Sequence, residues 1–341
     1  MILRPDDPEF WKALAKIYSN NYIRAALYTN SAAQYYRERP LNEGKNVEDK
    51  SFVLIWESEP VIAFQGALVK SENSSNLLFY EIPASSIEDK KRLTNNSAKT
   101  FLREFDQIIE SVNGVIWVQD YLPNGELSTI SRHLLSKGAI ATPVFSQVID
   151  LNQSQRQLKS SIRKRYGSLI NWGLRELNPV VHDAASISWG LIDCFRNLHI
   201  REAGRETRSE SSWRRQFEMI KADEAFAIFG YIKEELVSAG LFNCSKSSCY
   251  YSVSASRRDL FNKPLFHSLI WKAILYAKEL GCHWFEIGDQ AFPNHPQQET
   301  PTQKELGISQ FKAGFGGATK VLLDLKLEHN CQHPHLSTAH K

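Results

Sequence analysis

The sequence predicts a mixed α/β protein made of two copies of one strand–strand–strand–helix–strand unit. The order of the elements, the lengths of hairpins, loops and helices, and the offset between copies all agree. The first strands, which begin at Phe52 and Phe226, lie 174 residues apart, and the last strands, at Val115 and His283, lie 168 apart. A repeat of order and spacing over this length favours internal duplication over chance similarity.

The first copy begins with an apolar run, a tight turn at 58–60 and a second apolar run. Its pattern predicts three strands at 52–57, 61–69 and 77–82, then a helix near 98–110 and a fourth strand at 115–120. The second copy turns at 233–235 and predicts strands at 226–232, 236–242, 249–254 and 283–287.

The helix of the second copy is predicted over 264–280. Pro264 suits a first helical turn and Gly281 the position beyond the end. Its apolar residues recur at three- and four-residue spacing and form one face: Phe266, Ile270, Ala273, Ile274, Ala277 and Leu280.

Three strands, a helix and one further strand form the central pattern of the GNAT acyltransferase fold. The predicted fold class is therefore α/β, an α+β mixed sheet, with two tandem GNAT-like domains over 1–150 and 151–328. A strand at 144–150 ends the first domain, and a capping box at 154–157 opens a helix. Residues 321–328 alternate as a half-buried strand does. The polar, histidine-rich tail 329–341 is predicted to be disordered.

Composition places few limits on function. The formal charge of +3 permits an anionic partner without requiring one. Five cysteines, an odd number without a C-x-x-C pair, favour free thiols in a reducing, cytoplasmic compartment. The N-terminus is acidic where a signal peptide is basic, and no apolar run reaches the ~18 residues of a spanning helix. We therefore expect no transmembrane segment, although peripheral membrane contact remains open.

Motifs for a nucleophile, a metal or a nucleotide phosphate are missing from the sequence: it contains no G-x-S-x-G, H-E-x-x-H, Walker loop or G-x-G-x-x-G. The tail from His329 to His335 holds ligand types at a spacing that matches no zinc pattern, so no metal is predicted. This pattern fits direct acyl transfer, in which an amine attacks a positioned donor and an oxyanion is stabilised by fixed groups.

The most informative motif lies at 305–317, where Phe311-Lys312 precedes three glycines within four residues. Together with 160–166 and 203–208, this F-K-x-x-F-G-G segment resembles FemAB aminoacyl transferases of the type found among surface-polysaccharide genes. The resemblance covers most of 145–328 and implies that Phe311 and Lys312 lie at the donor site. The alternative is that Phe311 belongs to the core and Lys312 to the solvated surface.

A basic helix is predicted from Gln155 onwards, because residues 156–175 hold six Lys or Arg and no acid. Arg165 follows Leu158 by seven residues and so falls in the same apolar stripe. We therefore expect Arg165 to face the interdomain cleft and contact an anionic acceptor. In the FemAB group, an arginine and a tyrosine of this region contact the acceptor's phosphates, which implies substrate-binding roles for Arg163, Arg165 and Tyr166.

A second basic cluster holds Arg201, Arg205 and Arg208, which share one face if the segment is helical. Guanidinium groups grip phosphate or carboxylate bidentately. Interleaved glutamates make a salt-bridged surface an equal alternative. His199 is a candidate base, or a structural histidine.

Tyr251 lies in the third strand of the second copy, and Arg257 and Arg258 lie between that strand and the helix. In GNAT enzymes a glycine-rich loop cradles the coenzyme A pyrophosphate at this junction. The glycines are absent here, so coenzyme A is the less expected donor. Glu286 and Asp289 end the next strand and are candidate proton acceptors, with an exposed loop acid as the alternative for Asp289. The long connection from Asp289 to Gln303 is typical of a lid or a binding loop.

The sequence thus predicts a cytoplasmic acyltransferase. The expected donor is aminoacyl-tRNA, with no tightly bound cofactor, and the acceptor an amino group of a phosphate-bearing sugar, lipid-linked glycan or peptidoglycan precursor. The second domain is expected to hold the donor and the cleft between domains the acceptor. An acetyl-CoA-dependent N-acetyltransferase of an amino sugar and a non-catalytic RNA- or glycan-binding module are the alternatives.

Overall fold

A computed structural model describes residues 1–19, 22–39, 45–122, 125–293 and 300–328. The helices are α1 (Phe10–Tyr18), α2 (Asn30–Arg37), α3 (Asn95–Ile109), α4 (Thr129–Ser136), α5 (Gln155–Ser161), α6 (Lys164–Glu176), α7 (Trp189–Ala203), α8 (Glu210–Lys221), α9 (His267–Glu279) and α10 (Gln303–Ala313).

The strands are β1 (Ile2–Leu3), β2 (Asn46–Asp49), β3 (Phe52–Trp56), β4 (Glu59–Gln65), β5 (Ala67–Lys70), β6 (Ser75–Leu78), β7 (Ala84–Glu88), β8 (Val115–Tyr121), β9 (Ile140–Asp150), β10 (Val180–His182), β11 (Ala225–Ile232), β12 (Glu235–Cys244), β13 (Ser248–Ser256), β14 (Trp284–Asp289) and β15 (Ala318–Glu328).

The chain forms two compact units, and their limits do not follow the single predicted boundary at residue 150. Unit 1 comprises Met1–Phe10, Gly44–Thr142 and Leu323–Lys341, and unit 2 comprises Trp11–Glu43 and Pro143–Leu322. The division therefore falls within α1, within β9 and within β15. Trp11–Glu43, which we call the N-terminal segment, belongs to unit 2 because residues in it form hydrogen bonds to β13 and β14. The predicted disordered tail, 329–341, lies outside the described residues.

Unit 2 contains strands in the order β9-β14-β13-β12-β11-β10. The pair β13–β14 is parallel, and the other pairs are antiparallel. In unit 1, β3 pairs with β4, the β4/β5 run pairs with β6 and β7, and these two pair in parallel with β8. Strand order and direction are therefore the same in the two copies, which confirms the predicted tandem GNAT-like fold.

The first hairpin of each copy shows the same local geometry. Glu57 and Ser58 have φ of 49° and 64°, and Lys233 and Glu234 have φ of 48° and 66°. Two successive positive φ angles mark a type I′ turn, whose twist suits a two-residue hairpin. A register irregularity lies beside the turn in both copies. The turns thus begin one residue earlier than predicted in the first copy and at the predicted residue in the second.

The third strand of the first copy is not the single strand predicted at 77–82. It splits into β6 and β7 around a tight turn in which Tyr80 has φ of 59° and Phe79 bridges Ile82. Pro83, which has no amide hydrogen to give to a ladder, lies between this turn and the start of β7.

Each unit has its own apolar core. In unit 1, Phe101 and Phe105 of α3 pack against Phe52 and Phe64, with Leu325 of the closing strand in the same cluster. In unit 2, α9 buries Ile270, Ala273, Ile274 and Ala277 against β11–β14. Leu280, predicted on this face, is 50% exposed because it is the residue that caps the helix. The helix also begins at His267, three residues later than predicted.

The basic helix predicted from Gln155 onwards is two helices. Ile162 has φ −70° and ψ 141°, an extended conformation that separates α5 from α6. The capping box of Ser154 and Gln157 is present as predicted. The described cysteines, Cys194, Cys244, Cys249 and Cys282, are free thiols. None of the helices in the described ranges combines the length and apolar character needed to span a bilayer.

Gly317 should tolerate no side chain. Its φ is +77°, and a Cβ there would lie 2.3 Å from the Val148 carbonyl oxygen of β9. We expect Gly317→Ala to lower the free energy of unfolding by ~2 kcal/mol or more in urea denaturation. Gly167→Ala is the matched control, because a Cβ there would meet no atom within 4 Å apart from its chain neighbours and the backbone of its own helix. Alanine in that helical position should stabilise by up to ~1 kcal/mol. Equal urea midpoints for Gly317→Ala and Gly167→Ala would contradict the close approach of β9 to Gly317.

Candidate functional site

Two parallel strands of unit 2 separate part-way along their length. Pairing of β13 with β14 runs from Ser248–Trp284 to Tyr250–Glu286 and ends there. Both strands continue, β13 to Ser256 and β14 to Asp289. Backbone groups beyond the last pair face a gap that we call the β13–β14 opening. Such a gap between neighbouring strands gives a ligand access to main-chain donors and acceptors.

A buried arginine lies beside the last paired residue of β14. Arg24 is 6% exposed and Glu286 is fully buried. The Arg24 Nη2 and Nε atoms donate to Glu286 Oε1 at 2.6 and 2.9 Å, and Nη2 also lies 2.5 Å from Asp289 Oδ1. Ser146 Oγ of β9 donates to the same Glu286 oxygen at 2.5 Å. One guanidinium therefore binds two carboxylates of one strand.

A bulge makes this double contact possible. In a regular strand, residues 286 and 289 point to opposite faces. The register of β14 against β9 shifts between Glu286 and Gly288, so one extra residue realigns the two carboxylates.

The two carboxylates differ in environment. Burial raises the pKa of Glu286, and the charge of Arg24 opposes that rise. The Asp289 side chain is 60% exposed. For Arg24, burial disfavours the charged form, but Glu286 and Asp289 raise the pKa of the guanidinium well above its ordinary value. Glu286 thus depends on Arg24, while Asp289 remains accessible for proton transfer.

Lys312, at the end of α10, points its ammonium into the same region. Lys312 Nζ donates to the Asp289 carbonyl oxygen at 2.9 Å. Burial lowers the pKa of Lys312, and the carboxylates of Asp289 and Glu286 oppose that shift. A half-buried ammonium with a main-chain acceptor is a fixed positive charge for an anionic ligand or a developing oxyanion.

Tyr250 completes the group. Burial raises the pKa of Tyr250 well above its ordinary value, so the phenol is a neutral donor. A Cβ on Gly288, which has φ of +106°, would lie 3.2 Å from Lys312 Nζ and 3.7 Å from Tyr250 Oη. The ammonium and the phenol therefore converge above Gly288, where the missing side chain leaves room.

The glycines of the F-K-x-x-F-G-G segment accommodate the protein's own chain. Gly316 would place a Cβ 2.4 Å from Ser161 Oγ, and Gly314 would place one 2.3 Å from the Tyr166 ring. Tyr166 is buried, packs on Phe311 and donates from Oη to the Phe311 carbonyl oxygen. Phe311 is thus part of an aromatic cluster, whereas the neighbouring Lys312 reaches the β13–β14 opening.

Arg165 does not lie in an apolar stripe, so the prediction that it shares one with Leu158 is wrong. The break at Ile162 resets the helical phase, so α6 buries Tyr166, Ile170 and Gly173 instead. Arg165 is exposed, with its guanidinium carbon 5.9 Å from the Tyr166 ring centroid. Arg163 donates to the Gln310 carbonyl oxygen at 3.1 Å.

The three arginines of the second cluster do not share a helical face. Gly204, with φ of +71°, ends α7 before Arg205, which is exposed. Arg201 is exposed and pairs with Glu202 at 3.0 Å. The condition for one shared helical face is therefore not met, because α7 does not continue through Gly204.

Arg208 has a different environment. Its Nη1 donates to His199 Nε2 at 3.3 Å, and its Nε lies 3.4 Å from Tyr35 Oη. Burial, and then the charge of Arg208, lower the pKa of His199, which keeps the imidazole neutral and able to accept. Within the described ranges Arg208 has no carboxylate partner, unlike the neighbouring Arg196, Arg214 and Arg215.

In the loop after β13, the charge of Arg257 is balanced by nearby acids. Arg257 pairs with Glu235 at 2.6 Å and with Asp259. The Arg258 amide donates to Glu202, and its side chain is exposed. Tyr251 bonds to Ser254 Oγ at 2.5 Å, and burial raises the pKa of Tyr251 to about 12.

Sequence reasoning missed Arg24, Tyr250 and Ser146. No motif surrounds Arg24, and its partner Glu286 lies 262 residues away. Tyr250 could have been found from the pattern, because it aligns with Glu286 once β13 and the parallel β14 are recognised. The predicted lid after Asp289 includes 294–299, which lie outside the described residues.

No protein-family model and no curated protein matches this sequence. The fold is similar to that of FemX, with a TM-score of 0.71 and 11% identity over 95% of this chain and 96% of that one. L-PGS from Bacillus licheniformis has a TM-score of 0.57 and 13% identity, over 96% of this chain and 94% of that one. A tandem GNAT protein from the clavulanic acid biosynthesis pathway has a TM-score of 0.53 and 12% identity, over 97% of this chain and 98% of that one. The chain therefore has the FemAB-like tandem GNAT fold.

Removing the two carboxylates that bind Arg24 should have unequal effects on stability. Glu286→Gln leaves a buried guanidinium poorly compensated and should cost ~3 kcal/mol. Asp289→Asn removes an exposed partner and should cost less than ~1 kcal/mol. Urea denaturation of both variants measures the difference. A loss for Asp289→Asn as large as that for Glu286→Gln would show that burial does not govern this network.

Proposed function

We propose that the protein is an acyltransferase in which an amine attacks an activated acyl donor held at the β13–β14 opening. One observation carries this proposal. Lys312 Nζ and Tyr250 Oη converge above Gly288, at the point where the parallel strands separate. The similarity of the fold to that of FemX and of a tandem GNAT protein supports the same class of reaction.

The groups at the opening can share the steps of direct transfer. The acceptor nitrogen bonds to the donor carbonyl carbon, and the bond from that carbon to the leaving oxygen breaks. Lys312 stabilises the oxyanion that forms, in a partly dry site where a fixed charge has a large effect. The exposed Asp289 carboxylate accepts the proton from the amine. The leaving oxygen takes a proton from the Tyr250 phenol, which regains one from Asp289, so both groups return to their starting states.

We further propose aminoacyl-tRNA as the donor. The loop where a pyrophosphate would bind in a GNAT enzyme lacks glycines, and its Arg257 is already paired with two carboxylates. A coenzyme A pyrophosphate would have to displace those pairs. An ester donor whose acyl group enters the β13–β14 opening does not require that loop.

The proposed acceptor is an amino group on a phosphate-bearing sugar, lipid-linked glycan or peptidoglycan precursor. Arg208 supports this assignment, because a half-buried guanidinium with only neutral partners among the described residues is suited to bind phosphate. His199 and Tyr35 hold the guanidinium in place.

A donor assay tests the proposal directly. The purified protein is incubated with a phosphate-linked amino sugar or a peptidoglycan precursor, and with either labelled aminoacyl-tRNA or acetyl-CoA. We expect label in the acceptor with aminoacyl-tRNA only. Thiol release from acetyl-CoA with acceptor acetylation would instead establish the amino-sugar N-acetyltransferase. Binding without transfer from either donor would refute the acyltransferase proposal.

Lys312→Ala should lose most turnover while the melting temperature stays nearly unchanged. Lys312→Arg should recover only part, because a guanidinium is planar and larger. A fall in kcat indicates oxyanion stabilisation, and a raised donor KM with normal kcat indicates donor binding alone. Lys304→Ala, an exposed lysine on the same helix, is the matched control and should keep full activity. Full activity in both Lys312 variants would remove Lys312 from the site.

Arg208→Ala should raise the acceptor KM by about 10- to 100-fold, which corresponds to ~1–3 kcal/mol, with little change in kcat. The cause is loss of a charge-assisted contact to phosphate. Arg214→Ala is the control, since Arg214 pairs with Glu210 on the exposed face of α8. An unchanged acceptor KM in Arg208→Ala would place the acceptor phosphate elsewhere.

A further inference from the structure

The N-terminal segment is hydrogen-bonded to the start of β13, where β13 and β14 are still paired. The Ala26 amide donates to Ser248 Oγ at 3.0 Å, and Ser247 Oγ donates to the Tyr18 carbonyl oxygen at 3.1 Å. Ser248 is the first residue of β13 that pairs with β14. The backbone near Arg24 is therefore fixed relative to the first pair of the two strands.

From this anchored backbone, the Arg24 side chain reaches the residues where the two strands separate. Three of its contacts bind Glu286, which is the last paired residue of β14, and Asp289, which ends the strand. A planar guanidinium can bind both carboxylates at once, whereas a single ammonium cannot reproduce that geometry. Arg24 thus restrains the free end of β14.

The restraint extends to Lys312 through one further bond. Asp289, held by Arg24 through its side chain, accepts from Lys312 Nζ through its main-chain oxygen. Any shift of the strand end moves the acceptor that positions the ammonium. The charged or titratable groups described around Lys312 are Asp289, Glu286, Arg24 and Tyr250.

We infer that Arg24 is a positioning residue for acyl transfer: it holds the free end of β14 so that the Asp289 carbonyl keeps the Lys312 ammonium in the β13–β14 opening. This role rests on the proposed function, because it concerns the same lysine. It predicts that Arg24 governs both the solvation of Lys312 and kcat, without contacting the acyl donor itself.

Arg24→Lys is the first test, because it keeps the charge and removes the double contact. The readout is the titration of Lys312 by ¹³C NMR after reductive methylation, with the signal assigned by its absence in Lys312→Arg. We expect the midpoint to move up toward that of an exposed lysine, because a displaced ammonium regains water. Arg215→Lys is the matched control. Arg215 also binds the N-terminal segment, through Glu38, but lies on α8.

Arg24→Met combined with Glu286→Gln is the second variant and removes the buried pair without leaving a lone charge, which favours folding. Glu286 raises the pKa of Lys312 and Arg24 lowers it, so the loss of both charges changes that pKa in opposite directions. An upward shift in this variant therefore also reports displacement. An unchanged Lys312 midpoint in either folded variant would overturn the inference.

Turnover is measured in parallel. We expect kcat to fall about 10- to 100-fold in both Arg24 variants, as for a misplaced catalytic group, with the acceptor KM within about twofold of the wild type. A loss of turnover with unchanged Lys312 titration would overturn the role assigned to Arg24. Because the titration needs no substrate, absence of transfer by the wild type would refute the proposed function and leave the positioning test decisive.

Discussion

The candidate site depends on one buried ion pair, between Arg24 and Glu286. Two charges removed from water cost several kcal/mol each, and the pair persists only with close geometry and additional hydrogen bonds. Here Ser146 supplies one such bond and Asp289 a second carboxylate. All the hydrogen bonds described for Glu286 fall on Oε1, and Oε2 is buried without a partner in the described part of the chain. That oxygen adds an energetic cost, which the remaining contacts must offset.

Satisfying this pair constrains the surrounding fold. The bulge between Glu286 and Gly288 is needed for one guanidinium to reach two carboxylates. β9 must lie beside β14 to bring Ser146 to the pair, and the N-terminal segment must pack in unit 2 to deliver Arg24. The glycines after Lys312 then allow α5 and β9 to approach the end of α10 closely. The lysine is therefore positioned by backbone packing on one side and by the ion pair on the other.

The sequence could predict the elements that carry a local periodic signal. Alternating strands, the capping box at Ser154 and the stop at Gly281 depend on neighbouring residues, and the duplication made them recognisable twice. The prediction for Arg165 was wrong for a physical reason. It required an unbroken helix, and nothing in the local pattern marks the extended conformation of Ile162. Arg24 could not be predicted, because the value of its charge depends on a carboxylate 262 residues away. Lys312 was predicted from its motif, whereas the main-chain acceptor that fixes it was not.

The duplication also explains why the candidate site belongs to the second copy. In unit 1, the third strand resumes as β7 and pairs with β8 as far as Ser85–Gln119, so the parallel ladder continues past the break after Leu78. The next residue, Asp120, is buried and accepts from Ser131 Oγ and from the Ser128 amide at the start of α4. A carboxylate at this end of β8 thus caps a helix, whereas the carboxylates at the end of β14 bind Arg24. The same fold therefore places an acidic group at the same strand end twice. Only where the ladder stops early, beyond Tyr250 and Glu286, does that group border a gap into which a lysine and a tyrosine converge.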